Sequence, residues 1–322
     1  MLPLRIVFMG TPEFAVPCLK ALLDARFDVV AVYSQPDRPA GRGRGMAPGP
    51  VKMLAAESEI AVVQPDTLRS ATAATRLAQF APDVIVVAAY GLLLPETVLD
   101  IPRHGCVNVH PSLLPRHRGP SPIPWAILEG DHVTGVSMML MDAGMDTGPV
   151  LEQVEVPVSD DDTALELRDK LAALAASMLP CTLDRWAGGE IMPRAQDNTQ
   201  ATYSRLITKK DGEIDWKLTA VELWRRVRAF HPWPGCYTSW NGCLLRITEA
   251  EPLPELNAVP GRAISLDGKT AGGSIAGVGT GQGVLGLLKL QLEGKREVTA
   301  VEFLRGQRDF VGSILHSPAG PR

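Results

Sequence analysis

Val84-Ile85-Val86-Val87-Ala88, flanked by Asp83 and Ala89, is an almost unbroken apolar run. A strand of this kind has no polar face to turn toward water, so it belongs inside a parallel sheet covered on both sides. The segments before it fit the same architecture. Arg5 to Met9 reads as a short apolar strand, followed by a tight Gly10-Thr11-Pro12 connection. Val16 to Ala25 reads as a helix with Leu19, Leu22 and Leu23 on one face. Pro17 is tolerated there because it falls in the first turn, where no backbone donor is needed. Asp28 to Tyr33 is a second strand. Strands alternating with helices predict an α/β fold with right-handed crossovers. Ligands of such sheets sit beyond the carboxyl ends of the strands.

Chemistry concentrates in two stretches. The first is Asn108-Val109-His110-Pro111-Ser112-Leu113-Leu114-Pro115-Arg116, and the second is Asp142-Ala143-Gly144-Met145-Asp146-Thr147-Gly148. Cys106 to His110 is short and β-prone, so alternation puts Asn108 and His110 on one face. Val136 to Met141 is a second apolar run ending at Asp142. If the two runs are neighbours in one sheet, their polar ends are expected to meet at one edge. Asn108, His110 and Asp146 then suit acyl transfer to an amine. An amide N–H and an imidazolium stabilise a developing oxyanion, while a carboxylate favours the charged imidazole and relays a proton. The competing reading makes His110 a buried, hydrogen-bonded histidine and Asp146 a turn residue near Gly148. Cys106 shares the face of Asn108 and is read as a packing residue, because nothing marks it as an activated thiol.

The chain of 322 residues is long enough for two domains, each able to bury a core. No apolar run reaches the ~18 residues of a membrane span, and the N-terminus does not read as a signal peptide. Cys18, Cys106, Cys181, Cys236 and Cys243 are scattered, which suggests reduced thiols in the cytoplasm. His231, Cys236 and Cys243 lack a clear fourth ligand, so no metal is expected. The net charge of −4 is uneven: from Lys209 onward 15 Lys and Arg face 12 Asp and Glu. That modest basic excess is compatible with a polyanionic partner without demanding one.

Gly10-Thr11-Pro12 is not G-x-G-x-x-G, so a dinucleotide site is poorly supported. Gln35 to Pro50 reads as a Gly- and Pro-rich loop in which Arg38, Arg42 and Arg44 either contact phosphates or are simply solvated. Asp160 to Ala187 reads as helical, capped at Ser159 or Asp160 and stopped by Gly188-Gly189. Pro180 is expected to kink or divide it. Residues 1–189 therefore form one domain, 190–208 a polar linker and 209–322 a second domain. In that second domain a helix over Ala220 to Phe230 precedes short, Gly-punctuated apolar segments. These predict a small antiparallel β-barrel.

The two chemical stretches closely resemble the 10-formyltetrahydrofolate-dependent formyltransferases. Other segments narrow the resemblance to the branch that acts on methionyl-tRNA. They are Phe8-Met9-Gly10-Thr11-Pro12-Glu13-Phe14, Gln35 to Gly43, Ala89-Tyr90-Gly91-Leu92, Ile214-Asp215-Trp216 and Arg228-Ala229-Phe230-His231-Pro232-Trp233-Pro234. The resemblance implies a Rossmann-like parallel-sheet N-terminal domain for catalysis and an OB-like C-terminal β-barrel domain that helps bind tRNA. It implies that Asn108, His110 and Asp146 are catalytic and that Ser112, Leu113, Leu114 and Pro115 bind 10-formyltetrahydrofolate, a co-substrate. It also places Arg42 in a loop used on the acceptor stem of the initiator methionyl-tRNA. The expected protein is a cytoplasmic monomer that uses no metal and no membrane. Pro111 and Pro120-Ser121-Pro122 depart from the common family pattern, which affects loop shape rather than chemistry. The rival readings are a formyltransferase for a small amine, such as a purine-pathway nucleotide or sugar nucleotide, and a tRNA- or folate-binding protein without turnover.

Overall fold

The structure is a computed structural model that describes residues 4–40 and 45–316. Arg42 and Arg44 lie outside the described residues. The chain forms two compact units. One comprises Met1–Pro122, Val133–Pro157 and Arg168–Ser204, and the other Ile123–His132, Val158–Leu167 and Arg205–Arg322.

The first unit is built on β1 (Arg5–Gly10), β2 (Asp28–Tyr33), a hairpin of β3 (Arg38–Ala40) and β4 (Gly45–Ala47), β5 (Val62–Val63), β6 (Val84–Ala88), β7 (Cys106–His110), β8 (Val133–Leu140) and β9 (Val150–Pro157). Seven of these form one sheet in the order β5-β2-β1-β6-β7-β8-β9. It is parallel from β5 to β7, and β8 and β9 continue it antiparallel. Ile6 to Met9 and Val84 to Ala88 are buried throughout, as their apolar runs require. Helices α1 (Val16–Asp24), α2 (Pro50–Glu57), α3 (Ala71–Ala78) and α4 (Glu96–Leu99) fall between the parallel strands, giving the expected alternation.

Helix α5 (Pro122–Glu129) precedes β8, and α6 (Ala164–Ala187) follows β9. Two expectations bear on α6. Of the two outcomes expected at Pro180, division does not occur: the helix runs through it as one element. An interior proline costs about 3 kcal/mol, but Leu167, Leu171, Ala175, Leu179 and Leu183 are buried along the helix. Each large buried side chain contributes roughly 1.5–3 kcal/mol, which offsets the proline. The start is capped by Thr163 rather than by Ser159 or Asp160. Thr163 Oγ1 accepts from the Glu166 N–H while Glu166 Oε2 accepts from the Thr163 N–H, a reciprocal pair.

The second unit carries α7 (Ala220–Ala229), β10 (Cys236–Trp240), β11 (Cys243–Leu253), β12 (Ala263–Ser265), β13 (Ala276–Gly279), β14 (Val284–Leu292), β15 (Glu297–Thr299) and α8 (Ala300–Gly306). Thr219-Glu222 and Thr299-Glu302 repeat the same reciprocal cap at α7 and α8. The strands form one antiparallel sheet in the order β10-β11-β14-β13-β12, with β15 on β14. The tail closes the curl: Gly312 to Leu315 bonds to Gly261 and Ala263, and His316 exchanges two backbone bonds with Ser239 of β10. Trp240, Phe303 and Phe310 meet at ring-centroid distances of 5.2–5.8 Å, a cluster with Phe310 edge-to-face on both other rings that anchors α8 and the tail.

Candidate active site

Strand β7 fixes the first two groups. Its ladder pairs Asn108 with Met139 and His110 with Ser137 of β8, and the two-residue period of a strand turns both side chains to one face. Because β8 is antiparallel, Asp142 emerges at the end of the sheet opposite His110. The polar ends of the two runs therefore do not meet at an edge. Instead the loop from 141 to 149 turns back over the sheet and brings Asp146 to β7.

The loop holds its own shape. Asp142 Oδ1 accepts from the Gly144 N–H at 3.0 Å and from Thr147 Oγ1 at 2.6 Å. Asp146 adopts a left-handed φ of 54°, which Asp tolerates better than most residues. Gly148 packs its Cα against the carbonyl of Leu140, where any Cβ would collide. From this loop Asp146 Oδ2 accepts a 2.8 Å bond from the Gly119 N–H. Its Oδ1 lies 3.5 Å from Asn108 Nδ2, and Oδ2 lies 3.8 Å from His110 Nδ1. Gly119 is required by its φ of +107° and by the carbonyl of Ser204, which occupies the place of a side chain.

His110 is 4 % exposed. Its Nε2 lies 3.1 Å from the carbonyl oxygen of His117. A carbonyl only accepts, so Nε2 carries the hydrogen and Nδ1 faces Asp146. Burial pushes the His110 pKa below the ordinary histidine value, and the Asp146 charge and the His117 carbonyl only partly oppose this. His110 is therefore neutral at rest, with a basic lone pair on Nδ1. When Nδ1 takes a proton, the Asp146 carboxylate stabilises the imidazolium. Asn108 Nδ2 remains a donor for a developing negative charge. Cys106 is 1 % exposed and burial pushes its thiol up to about 12, so it is a packing residue and not a nucleophile.

The segment after β7 divides by burial. Ser112 is fully buried, with Oγ bonded to the Arg116 carbonyl at 2.6 Å, and Leu114 is 5 % exposed. Ser137 Oγ donates to the Ser112 carbonyl and accepts from the Leu114 N–H, and Gln153 Nε2 donates to Ser137 and to the Leu114 carbonyl. Ser112 and Leu114 thus shape the segment from inside, while Leu113 and Pro115 are only half-buried and present surface. Met145, 59 % exposed beside Asp146, offers an apolar contact next to the polar trio.

Arg38 is exposed and bonds Gln35 Oε1. Gln35 in turn donates to the Tyr90 carbonyl, and Lys52, Gln64 and Asp37 interlock behind it. Lys52 and Gln64 hold the Asp37 carboxyl below its usual range. Arg38 therefore stands at the start of β3, bonded into this cluster. Thr11 Oγ1 joins the same cluster through Tyr90 and Gln35, which makes Gly10-Thr11-Pro12 a structural connection. Among the described residues no group of three or more His, Cys, Asp or Glu is placed to hold a metal ion. Cys236 is buried and Cys243 exposed, at opposite ends of the β10–β11 pairing.

Sequence reasoning missed Gly119, His117, Ser137, Gln153, Arg118 and Gln196. Of these only Gly119, in the Arg118-Gly119-Pro120 run, carries a local signal. The others are common polar types, and apart from His117, whose carbonyl meets nearby His110, their partners are distant in the chain.

Residues 4–183 match the Formyl transferase family model, and residues 206–308 match that of Formyl transferase, C-terminal domain. A methionyl-tRNA formyltransferase of Stutzerimonas stutzeri (strain A1501) is 48 % identical over 307 residues, 95 % of this chain and 96 % of the relative. Another from Dehalococcoides mccartyi is 48 % identical over 313 residues, covering 97 % and 98 %. Among solved structures, an N-formyltransferase from Helicobacter canadensis with folinic acid and dTDP-3-aminofucose has a TM-score of 0.64 at 18 % identity. That match covers 88 % of this chain and 99 % of that one. HypX from Aquifex aeolicus in complex with tetrahydrofolic acid has a TM-score of 0.60 at 17 % identity over 96 % of this chain, which spans about half (48 %) of HypX. At such identities these structures share the fold. No helix among the described residues is long and apolar enough to cross a membrane. On the two matched models and the near-full-length relatives, the chain belongs to the formyl transferase family.

Proposed function

We propose that the chain transfers the formyl group of 10-formyltetrahydrofolate to the amino group of methionyl-initiator tRNA. The observation that carries this reading is the convergence of Asn108, His110 and Asp146 on one face of β7. The co-substrate, when bound, supplies an activated formyl carbon on a nitrogen leaving group. Everything else falls to the chain. Asn108 Nδ2 donates to the formyl oxygen as negative charge builds there, an interaction that strengthens in the transition state. The attacking α-amino group has an ordinary pKa of about 7.7–8.0, so a usable fraction is already neutral near pH 7. His110 Nδ1 accepts the proton that this nitrogen sheds as the new C–N bond forms. Asp146 steadies the imidazolium until the proton passes to the departing nitrogen, leaving both His110 and Asp146 as they began.

We assign catalysis to residues 1–189 and tRNA binding to 209–322, joined by 190–208. The relatives' names support a tRNA substrate, and the basic excess beyond Lys209 supports placing its binding in the second part. Leu113 and Pro115, shaped from behind by Ser112 and Leu114, make the folate surface in this reading. Arg38, Arg42 and Arg44 of the 35–50 segment meet the acceptor stem in this reading. The protein acts as a monomer in the cytoplasm, where its dispersed, unpaired thiols stay reduced. The test is formyl transfer from 10-formyltetrahydrofolate to charged initiator tRNA, with charged elongator tRNA as the control. Transfer to the initiator alone is expected. Transfer to neither would redirect the search to small amines.

A further inference from the structure

The polar stretch that reads as a passive linker passes directly behind the catalytic carboxylate. Arg194 exchanges two 2.8 Å backbone bonds with Val150, the first residue of β9. Two residues on, Gln196 Nε2 donates to the carbonyls of Asp146 at 2.8 Å and Gly148 at 2.7 Å. Gln196 Oε1 accepts from Arg118 Nε at 3.0 Å and Nη2 at 2.8 Å. Arg118 is 1 % exposed, and it reaches Asn198 Oδ1 at 2.8 Å and the Tyr203 hydroxyl at 3.5 Å. Its backbone bonds Thr202 and Ser204. The next residue, Gly119, is the donor that grips Asp146 Oδ2.

Asp146 is thus clamped from two sides by one connected unit. Gly119 holds the carboxylate and Gln196 holds the backbone, and Arg118 ties the two together. A backbone carbonyl offers no charge to attract a partner, so the amide of Gln196 fits this task by chemistry. Its N–H₂ spans two carbonyls while its oxygen receives a guanidinium fork. We propose that Gln196, backed by Arg118, is a positioning residue that sets the distance between Asp146 and His110 for formyl transfer. This inference rests on the reading of Asp146 as a catalytic residue.

Two variants test it. Gln196→Met removes both halves of the link without adding charge. Gln196→Glu keeps an acceptor for Arg118, which favours folding, but turns a carboxylate toward the two carbonyls. Both are expected to lose kcat by about 10–100-fold, the cost of a displaced catalytic group. KM for 10-formyltetrahydrofolate should stay within about threefold, because neither half of the clamp belongs to the folate surface. A second readout needs no substrate. In Gln196→Met the His110 imidazole, followed by NMR, should titrate lower than in the parent, because Asp146 no longer raises it. Folded Gln196 variants with parental kcat and parental His110 titration would overturn the proposal, and so would a rise in KM alone. If the parent does not formylate tRNA, the functional reading fails, while the shift in His110 titration still decides whether Gln196 positions Asp146.

Discussion

Strand β7 and the 141–149 loop contribute to the same site by opposite means. Asn108 and His110 are held by a ladder that runs through the middle of a seven-stranded sheet, with β6 on one side and β8 on the other. Asp146 is held by a few hydrogen bonds: one from the Gln196 amide, which also bonds Gly148, one from Gly119 and those inside its own loop. The strand residues inherit their geometry from many equivalent backbone bonds, so no single side chain beside them is critical to placement. The loop residue depends on particular atoms, each of which can be removed. Catalytic precision at Asp146 is therefore more fragile than at Asn108 or His110, although all three serve one reaction.

The largest effect tests the strand side directly. His110→Ala should leave 10-formyltetrahydrofolate binding largely intact and lower turnover by roughly 10²–10⁴-fold, as for general acid–base groups. Unchanged turnover in steady-state assays would remove His110 from the chemistry. Next comes the loop side. Gly119→Ala places a methyl at a φ of +107°, against the carbonyl of Ser204. Strain of about 1–3 kcal/mol is expected, together with a loss of kcat approaching 10²-fold as Asp146 shifts. Denaturant unfolding and kinetics on the same preparation separate the two losses, and parental values for both would break the contrast.

A milder probe is Thr147→Val, which deletes the 2.6 Å hydroxyl bond to Asp142 and nothing on β7. A cost of about 1 kcal/mol is expected, with a kcat decrease of only a few fold. If kcat instead falls as far as in Gly119→Ala, the internal bonds of the loop matter as much as its external clamp. The smallest effect is a pH slope. Burial lowers the folded pKa of His110 below its unfolded value of about 6.5. In the window between the two, the unfolded chain binds more protons than the native one. Stability is then full above about pH 6.5 and declines as pH falls toward the folded pKa. His110→Asn should flatten that part of the stability–pH curve, and an unaltered slope in urea titrations would contradict the neutral resting state.

Much of the first unit was legible because its physics is local. The apolar run around Val84 to Ala88 demanded a doubly covered strand, and the sheet places it between β1 and β7. The shared face of Asn108 and His110 followed from strand periodicity. The β3–β4 hairpin was not legible. Arg38 and Pro39 look like loop residues, and only pairing with Met46 and Ala47 makes their segment a strand. Pro180 does not divide α6, because a local helix breaker is outweighed by burial along the helix. The antiparallel entry of β8, which sends Asp142 to the far end of the sheet, also has no signature in an apolar run that reads the same in either direction.

What the amino-acid sequence alone determined, then, was the α/β alternation, the face of β7 that carries chemistry, and the residue types able to move a formyl group. Only the tertiary structure decided how those groups are used. It returned Asp146 to His110, put the Nε2 hydrogen of His110 on the His117 carbonyl, kept the imidazole neutral by burial, and recruited Gln196 from a stretch that reads as a linker. The reason is one of range. Periodicity and turn chemistry act over a few neighbouring residues. The bonds that place Asp146 join partners 27 and 50 residues apart, and burial is a property of the whole packed unit.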